Sequence, residues 1–408
     1  MKNWVTKNLD EVCELITCGV AARPQYVDDG IPFLSAKNVK EGKIVWNGYN
    51  CISEKTHKEL TKINEPLIGD ILYTRVGSYG EAAVIEDDFE FSVFVSLTLI
   101  KVDKNILNNY FLKHYLNSDF VKNLAKKSIS GSGVGNLNVG TVREFPISIP
   151  PLAEQQRIVS ILDEAFAAIA KAKANAEQNL NNAKQLFESY LQSVFEKKGD
   201  GWEEKCLEDL ADEKCTLSYG IVQPGEEYSE GLPIIRPTDL TAKFITLKGL
   251  KLINPKLAEG YKRTNLTGDE LLLCVRGSTG IVSIATNELK GANVTRGIVP
   301  IRFNSKIINQ DYGYYLLISN YIQKQIKAKT YGAALMQINI GDLRKILTPY
   351  PSLTEQQTIV KKLDALSTET KKLETIYQNK IQDLEELKKS ILQKAFSGEL
   401  KITKALAV

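Results

Sequence analysis

The 408-residue sequence is poor in the residues that build metal centres and hydrolytic sites. It has two histidines, His57 and His114, and six cysteines, none of them in a Cys-x-x-Cys pair. Structural zinc sites need clustered Cys and His ligands, so we expect no metal and read the cysteines as reduced thiols.

Motifs of catalysis are also missing. There is no Gly-x-x-x-x-Gly-Lys-Ser/Thr phosphate loop, so the sequence does not support ATP hydrolysis. The only Pro-Pro pair, Pro150-Pro151, follows Ile149, so the Asn/Asp-Pro-Pro-aromatic motif of a DNA methyltransferase is absent. The sequence also lacks a membrane-length apolar run and a signal-peptide h-region. We therefore expect a non-catalytic, cytoplasmic protein.

A strong charge of either sign is absent as well, because the net charge is +3. Residues 2–150 carry 17 Lys and Arg against 18 Asp and Glu, and residues 202–351 carry 19 against 16. Neither segment has the basic excess of a free-standing DNA-binding domain. If DNA is the ligand, local patches or a partner protein must supply the electrostatic attraction.

What the sequence does contain is a repeat of domain size, at an offset of roughly 200 residues, far longer than a solenoid repeat. Six segments match in the same order. They are 4–12 with 202–210, 30–34 (GIPFL) with 231–235 (GLPII), 69–72 (GDIL) with 268–271 (GDEL), 77–80 (GSYG) with 277–280 (GSTG), 137–140 (LNVG) with 338–341 (INIG), and 151–159 (PLAEQQRIV) with 352–360 (SLTEQQTIV). We infer a duplication.

Each copy divides into a globular part and a long helix. Segments 93–100 and 281–284 are rich in β-branched residues and predict strands, whereas 110–124 and 312–326 have helical spacing. This mixture predicts two similar α/β domains, at 1–150 and 200–351. A central helix at 151–199 and a C-terminal helix at 352–408 complete the predicted architecture.

Both predicted helices carry a heptad pattern, which is typical of a coiled coil. The expected seams are Ile158, Leu162, Ala165, Ile169, Ala172, Ala176, Leu180, Ala183, Phe187, Tyr190 and Val194, and then Ile359, Leu363, Leu366, Thr370, Leu373, Tyr377, Lys380, Leu384, Leu387 and Ile391. We expect the helices to pair antiparallel, with pseudo-two-fold symmetry and the domains at opposite ends. The alternative is a surface helix packed on its own domain.

Over nearly the whole chain, this organisation resembles the specificity subunits of type I restriction-modification systems. Segment 151–158 (PLAEQQRI) and segment 395–400 (AFSGEL) are similar to that family's signatures at the starts and the end of its helices. Two departures are Ser352 in place of a second proline and Thr358 where Arg157 stands in the first copy. They caution against assuming identical partner contacts at the two helix starts.

The resemblance implies two target-recognition domains, each reading one half of a bipartite double-stranded DNA site, and helices that set the gap. It implies that the helices bind two methyltransferase subunits and that restriction subunits join this core. The chain itself would bind no cofactor. S-adenosylmethionine would belong to the methyltransferase, and ATP with Mg to the restriction subunit.

Candidate DNA contacts are polar residues in and beside glycine-bordered loops, because Arg, Asn and Gln read base edges and hydroxyls reach phosphates. Tight structural turns or flexible loops are the alternative reading. The candidates are Arg23, Lys37, Asn38, Arg75, Ser78, Tyr79, Ser130, Asn136, Asn138, Arg236, Arg276, Ser278, Thr279, Arg296, Tyr331, Gln337 and Asn339.

Candidate partner contacts lie at the two helix starts. They are Glu154, Gln155, Gln156, Glu355, Gln356 and Gln357. A rival function is a coiled-coil scaffold whose globular domains bind proteins or peptides, which the helices alone would suit.

Overall fold

The computed structural model describes residues 4–77, 79–129, 135–332 and 335–400. The chain forms two compact units, the first made of Met1–Glu177 with Gln378–Val408 and the second of Gln178–Tyr377. Each unit therefore combines one globular domain with part of both long helices. Among the helices of the described ranges, none has the length and apolarity that a bilayer crossing requires.

The first unit mixes short strands with helices. Its strands are β1 (Val5–Asn8), β2 (Cys13–Cys18), β3 (Tyr26–Val27), β4 (Ile31–Leu34), β5 (Val39–Lys40), β6 (Lys43–Ile44), β7 (Asn50–Ile52), β8 (Ile71–Thr74), β9 (Ala82–Val84), β10 (Ser92–Val93), β11 (Leu97–Val102) and β12 (Pro146–Ile149). Its helices are α1 (Glu54–Thr61), α2 (Asn109–Leu116), α3 (Asp119–Lys127), α4 (Val139–Arg143) and the long α5 (Leu152–Lys197), which continues into the second unit.

The second unit repeats most of this order. Its strands are β13 (Glu203–Cys206), β14 (Leu232–Ile235), β15 (Phe244–Ile245), β16 (Lys251–Ile253), β17 (Leu271–Cys274), β18 (Val282–Ala285), β19 (Asn293–Val294), β20 (Ile298–Ile301), β21 (Thr330–Tyr331), β22 (Gln337–Ile338) and β23 (Leu347–Tyr350). Its helices are α6 (Leu207–Leu210), α7 (Gln310–Ile318), α8 (Asn320–Lys329), α9 (Ile340–Arg344) and the long α10 (Leu353–Phe396), which continues into the first unit.

Equivalent sheets form the two domains. In the first unit, β8 pairs antiparallel with β9 and β11, and in the second unit β17 pairs in the same way with β18 and β20. The strand before each long helix pairs with the strand that opens the domain, β12 with β1 and β23 with β13. The duplication and the α/β class predicted from sequence are thereby confirmed.

Two predicted elements are divided in the structure. Segment 93–100 forms the end of β10 and the start of β11, because the chain turns between Val93 and Leu97. Segment 110–124 forms α2 and α3, with Ser118 capping the second helix through its side chain. The counterpart 312–326 divides in the same way, at Ser319.

Helix α5 has 46 residues and lies within two residues of its predicted bounds at both ends. Helix α10 has 44 residues and begins within one residue of the predicted position, but it ends at Phe396, before the predicted end at 408. Residues 401–408 lie outside the described residues. Gly398 follows α10 with a φ of +73°, a conformation that ends helices and suits glycine. On α5 the predicted seam is confirmed, since its residues are buried or half-buried. Leu191 and Phe195, which the prediction missed, are buried near the end of α5.

Contacts within each unit show that the helices pair antiparallel. In the first unit, Lys173 on α5 pairs with Glu385 on α10, whereas the earlier residue Leu162 shares a core with the later residue Leu392. In the second unit, Phe195 near the end of α5 shares a core with Leu363 near the start of α10. The predicted coiled coil is confirmed.

After Thr370, the predicted seam of α10 is half-buried at Tyr377, Leu384 and Ile391, but the predicted positions between them are exposed. Leu373 is 38% exposed and Leu387 is 46% exposed, while Ile381 and Lys388 are half-buried. The covered positions lie one residue after these predicted ones, and they include the charged Lys388 as well as Ile381. The ammonium of Lys388, for example, lies 5.3 Å from the centroid of the Phe166 ring.

Candidate nucleic-acid interface

Backbone contacts bring the two predicted polar loops of each domain together. In the first domain, Val76 forms a β-bridge with Asn136, and the Leu137 N–H donates to the Arg75 carbonyl at 2.8 Å. In the second domain, Arg276 forms the same bridge with Gln337. Each domain therefore presents a composite loop surface, built from the segment after β8 or β17 and the segment before α4 or α9.

Glycine is required at the turns of these loops. Gly77 and Gly80 have φ values of +80° and +90°, and Gly277 and Gly280 have φ values of +86° and +99°. Side chains with a Cβ rarely adopt this region, which explains why the Gly-Ser-x-Gly pattern survives in both copies. The glycines fix the loop path, and the residues between and beside them supply the chemistry.

The bridge register shows that Arg75 and Arg276 are not equivalent. Arg276 occupies the place of Val76 and is half-buried, whereas Arg75 lies one position earlier and is 8% exposed. The Arg75 guanidinium donates to the carbonyls of Leu137 and Val95, both at 2.8 Å, and to Asn136 Oδ1 at 3.1 Å. Arg75 therefore holds the loop surface together from within, a role that sequence did not reveal.

Other candidates of the first domain lie on this surface. Asn136 and Asn138 are exposed, and the Asn138 side chain also accepts from the Gly140 N–H and so caps α4. Tyr79 is half-buried against the core of the unit. Ser78 and Ser130 lie outside the described residues.

In the second domain, three candidates form one hydrogen-bonded cluster. The Tyr331 hydroxyl donates to Asn339 Oδ1 at 2.6 Å, and Gln337 Nε2 donates to the Tyr331 hydroxyl at 3.0 Å. Tyr331 and Asn339 are exposed, as is Ser278, and the Thr279 hydroxyl donates to the Met336 carbonyl at 3.3 Å. This cluster offers the donors and acceptors that base edges require.

Candidates outside the loops have different surroundings. Arg23, Lys37 and Arg296 are exposed. Asn38 is fully buried and donates to the Val45 and Asn47 carbonyls, so its side chain supports a turn instead of facing outward. Arg236 is half-buried and forms an ion pair with Asp239 at 2.9 Å.

At each helix start, the central glutamine of the repeated motif is completely buried. Gln155 Oε1 accepts from the Asn108 N–H at 2.8 Å, and its Nε2 donates to the carbonyls of Ile106 and Pro150 at 2.9 Å. Gln356 repeats all three bonds, at 2.7 to 2.8 Å, with Asn309, Ile307 and Pro351. Gln155 therefore holds the start of α5 against the first domain, and Gln356 holds the start of α10 against the second.

The neighbouring motif residues are more accessible. Glu154 is half-buried and paired with Arg157 at 2.6 Å, and the hydrogen bond from Arg157 holds the Glu154 pKa below its usual value. Gln156 and Gln357 are exposed, and exposed Glu355 accepts from Trp202 Nε1 at 2.9 Å. The partner-binding hypothesis therefore continues with Glu154, Gln156, Glu355 and Gln357, not with the buried glutamines.

A second repeated contact joins each domain to its helix. In the first unit, His114 Nε2 lies 2.8 Å from Asp163 Oδ1, and His114 is 5% exposed. In the second unit, Tyr315 donates to Asp364 Oδ1 at 2.5 Å. Burial lowers the His114 pKa, and the hydrogen bond from His114 lowers the pKa of Asp163.

Sequence reasoning missed a repeated arginine near the candidate interface. Arg143 donates from Nη2 to the Ile16 carbonyl at 2.7 Å, and Arg344 donates to the Thr216 carbonyl at 2.9 Å. Each follows the shared asparagine Asn138 or Asn339 by five residues, so extending the repeat comparison would have found the pair.

Comparison with known proteins agrees with this duplicated, two-domain class of DNA specificity protein. The chain matches the family described as "Type I restriction modification DNA specificity domain" twice, over residues 1–180 and 199–383. It therefore belongs to the family of type I restriction-modification specificity subunits. The family is defined by DNA specificity, which agrees with the expectation that this chain is not itself an enzyme.

Two curated relatives match along nearly the whole chain. A putative type I restriction enzyme MjaX specificity subunit of Methanocaldococcus jannaschii is 26% identical, over 98% of this chain and 94% of that protein. The type I restriction enzyme EcoBI specificity subunit of Escherichia coli is 25% identical, over 98% of this chain and 86% of that protein.

A solved chain shares the fold. It comes from work on complex assembly and conformational transition of the type I R-M system, and it superimposes with a TM-score of 0.78 at 20% identity. The match covers 98% of this chain and 99% of that one. The chain therefore shares its fold with a solved structure.

Proposed function

We propose that each domain of this chain reads one half of a bipartite double-stranded DNA site, and that α5 and α10 set the gap between the halves. The helix starts would dock two methyltransferase subunits, and restriction subunits would join through that core. In this proposal S-adenosylmethionine binds to the methyltransferase, and ATP with Mg binds to the restriction subunit.

One observation carries the two-reader proposal. The bridge between Val76 and Asn136 has the same backbone position as the bridge between Arg276 and Gln337, yet both pairs of side chains differ. A shared backbone frame that carries different side chains is what two readers of different sequences need. A palindromic site, by contrast, suits two identical halves.

Electrostatics supports a role for partners in DNA affinity. Neither domain has a strong basic excess in its composition, and phosphate contacts dominate the affinity of most DNA-binding proteins. We infer that base reading comes from this chain, whereas much of the attraction to the DNA backbone comes from the bound methyltransferase subunits.

A domain exchange tests the proposal. Residues 2–150 are replaced by the first domain of another specificity subunit, the chain is co-expressed with its methyltransferase, and adenine methylation is mapped across the genome. We expect one half-site to change while the other half-site and the gap stay the same. A change in both half-sites would refute two independent readers.

The same preparation separates this proposal from a scaffold function. A complex that forms with the methyltransferase, yet neither binds DNA nor methylates a split site, would favour the scaffold. Wild-type protein must therefore be measured first, because its methylated sequence is the reference for every variant.

A further inference from the structure

The second domain has a polar pocket that the proposed reading loops do not include. Its volume is about 340 Å³, and it is lined by Ser218, Tyr219, Tyr261, Arg263 and Arg344, among others. Both charged residues in its lining are arginines. The pocket borders the loop surface, because Ile340, the residue after Asn339, also lines it.

An unusual backbone conformation presents one wall of this pocket. Leu217 has a φ of +41° although it is a bulky residue, and its side chain is 2% exposed. Burial of this side chain and the hydrogen bond from Arg344 to the Thr216 carbonyl hold the turn in place. The next two residues, Ser218 and Tyr219, are thereby directed to the pocket. Strained residues of this kind persist where the surrounding structure fixes them, often at binding sites.

Two of the lining side chains are accessible to a ligand. Tyr219 is 49% exposed, and Arg263 is exposed. Within the part of the chain that the structure describes, no carboxylate lies within ion-pair distance of Arg263. A guanidinium without a carboxylate partner, next to Tyr and Ser hydroxyls, is a set of donors that suits a phosphate oxygen.

The corresponding region of the first domain is built differently. Gly19 and Gly220 are equivalent, since each lies close to a strand carbonyl, that of Val93 or Val294. This alignment puts Cys18 in the place of Tyr219. The following wall also differs, because the first domain has α1 after β7, whereas the second has a 3-10 helix, Pro255–Thr264, after β16. The pocket therefore belongs to the diverged part of the domain.

We propose that this pocket binds a backbone phosphate of the half-site that the second domain reads, with Arg263 and Tyr219 as its exposed donors. The proposal rests on the proposed function and adds an anchoring contact to it. Such a contact positions the domain on the duplex without reading a base. It would fix the position of the cluster formed by Tyr331, Gln337 and Asn339 relative to the base pairs.

The test uses the complex of the full chain with its methyltransferase subunits. Binding is measured to a duplex that contains the methylated site, and to one of equal length that lacks it, over a series of salt concentrations. The variants are Arg263→Gln and Tyr219→Phe, with Lys371→Gln as a matched control, because Lys371 is exposed on α10. Unfolding temperatures check that each variant folds.

We expect Arg263→Gln to weaken binding to both duplexes by about tenfold, because a charge-assisted contact is lost. The slope of log K against log salt should become shallower by about 0.9, the contribution of one phosphate contact. Tyr219→Phe should weaken binding without changing the slope, and Lys371→Gln should change neither. The methylated sequence should stay the same in every variant.

Two results would overturn the pocket assignment. One is an Arg263→Gln complex with unchanged affinity and unchanged salt dependence. The other is a changed base preference at one position of the methylated sequence, which would make Arg263 a base reader. If the wild-type complex methylates no split site, the proposed function itself fails, so the two failures are distinguishable.

Discussion

The side-chain oxygen of Gln155 accepts a hydrogen bond from the backbone N–H of Asn108, at 2.8 Å. Gln356 makes the same bond to Asn309, and in both copies the side-chain amide donates to two carbonyls. The central glutamine of the motif at each helix start therefore holds the helix and its domain together.

Replacing Gln356 by alanine should destabilise the second unit. The change leaves a buried N–H and two carbonyls without their partner, which costs about 2–4 kcal/mol in the free energy of unfolding. Gln357→Ala is the control, because Gln357 is the adjacent, exposed residue and its loss should cost less than about 0.5 kcal/mol. Urea unfolding of the full chain measures both. Equal losses in the two variants would contradict the structural role of Gln356.

Substitutions of Arg75 and Arg276 should differ in their effects on stability and on DNA binding. Arg75→Met removes three hydrogen bonds from a buried guanidinium and should lower the stability of the first unit by about 2–4 kcal/mol. Arg276→Met should change stability by less than about 1 kcal/mol, since Arg276 is only half-buried. It should, however, weaken binding to the half-site of the second domain. Urea unfolding together with DNA binding by the complex checks this contrast, which would be wrong if Arg276→Met were the more destabilising change.

The contact between His114 and Asp163 predicts a stability that depends on pH. Because burial lowers the His114 pKa in the folded chain, the unfolded chain binds more protons at this residue below about pH 6.5. Stability should therefore fall as the pH is lowered through that range. Lys113 and Lys388 also disfavour the protonated ring, whereas Asp163 opposes them. Asp163 itself, with a lowered pKa, loses its contribution only in a more acidic range.

The second unit supplies the matched variant for this test. It has Tyr315 where the first has His114, bonded to the equivalent carboxylate of Asp364. His114→Tyr should flatten the dependence of the unfolding free energy on pH below about pH 6.5. Chemical unfolding at several pH values measures the slope, and the hypothesis fails if the slope is the same in wild type and variant.

Lengthening both helices should lengthen the gap in the recognised DNA site. One heptad inserted after Glu177 and one after Tyr377, at the positions where the two units divide each helix, preserves the coiled-coil register. Seven residues add about 10 Å, equivalent to roughly three base pairs. Methylation mapping should show the same half-sites farther apart. An unchanged gap would show that the helices do not set the spacing.

Sequence alone predicted the duplicated architecture well, because the glycines at positive φ and the buried glutamines recur in both copies at an offset of roughly 200 residues. It predicted only part of the buried seam of α10 correctly. Leu373 and Leu387 look like seam residues, yet the stem of Lys388 is the one that packs over Phe166. A pattern of apolar residues cannot show where a partner helix will cover the aliphatic stem of a charged side chain.

For the candidate site too, the sequence predicted some features and missed others. The sequence identified both polar loop segments of each domain as candidates, and the structure shows that they lie together. The difference between Arg75 and Arg276 depends on a register of one residue, which changes the side of the sheet that a side chain faces. The pocket beside Arg263 depends on a backbone turn at Leu217 that no sequence motif marks.

The hydrogen bonds of Gln155 and Gln356 at the helix starts have a consequence for the evolution of such proteins. Among the described residues, the Gln155 side chain forms its hydrogen bonds with main-chain atoms, those of Ile106, Asn108 and Pro150. Any domain whose chain follows the same path there can be seated on the helix, whatever side chains it displays elsewhere. Under the proposed function, recombination at the helix starts would exchange a whole recognition domain. The DNA target would then change, while the contact between helix and domain would stay the same.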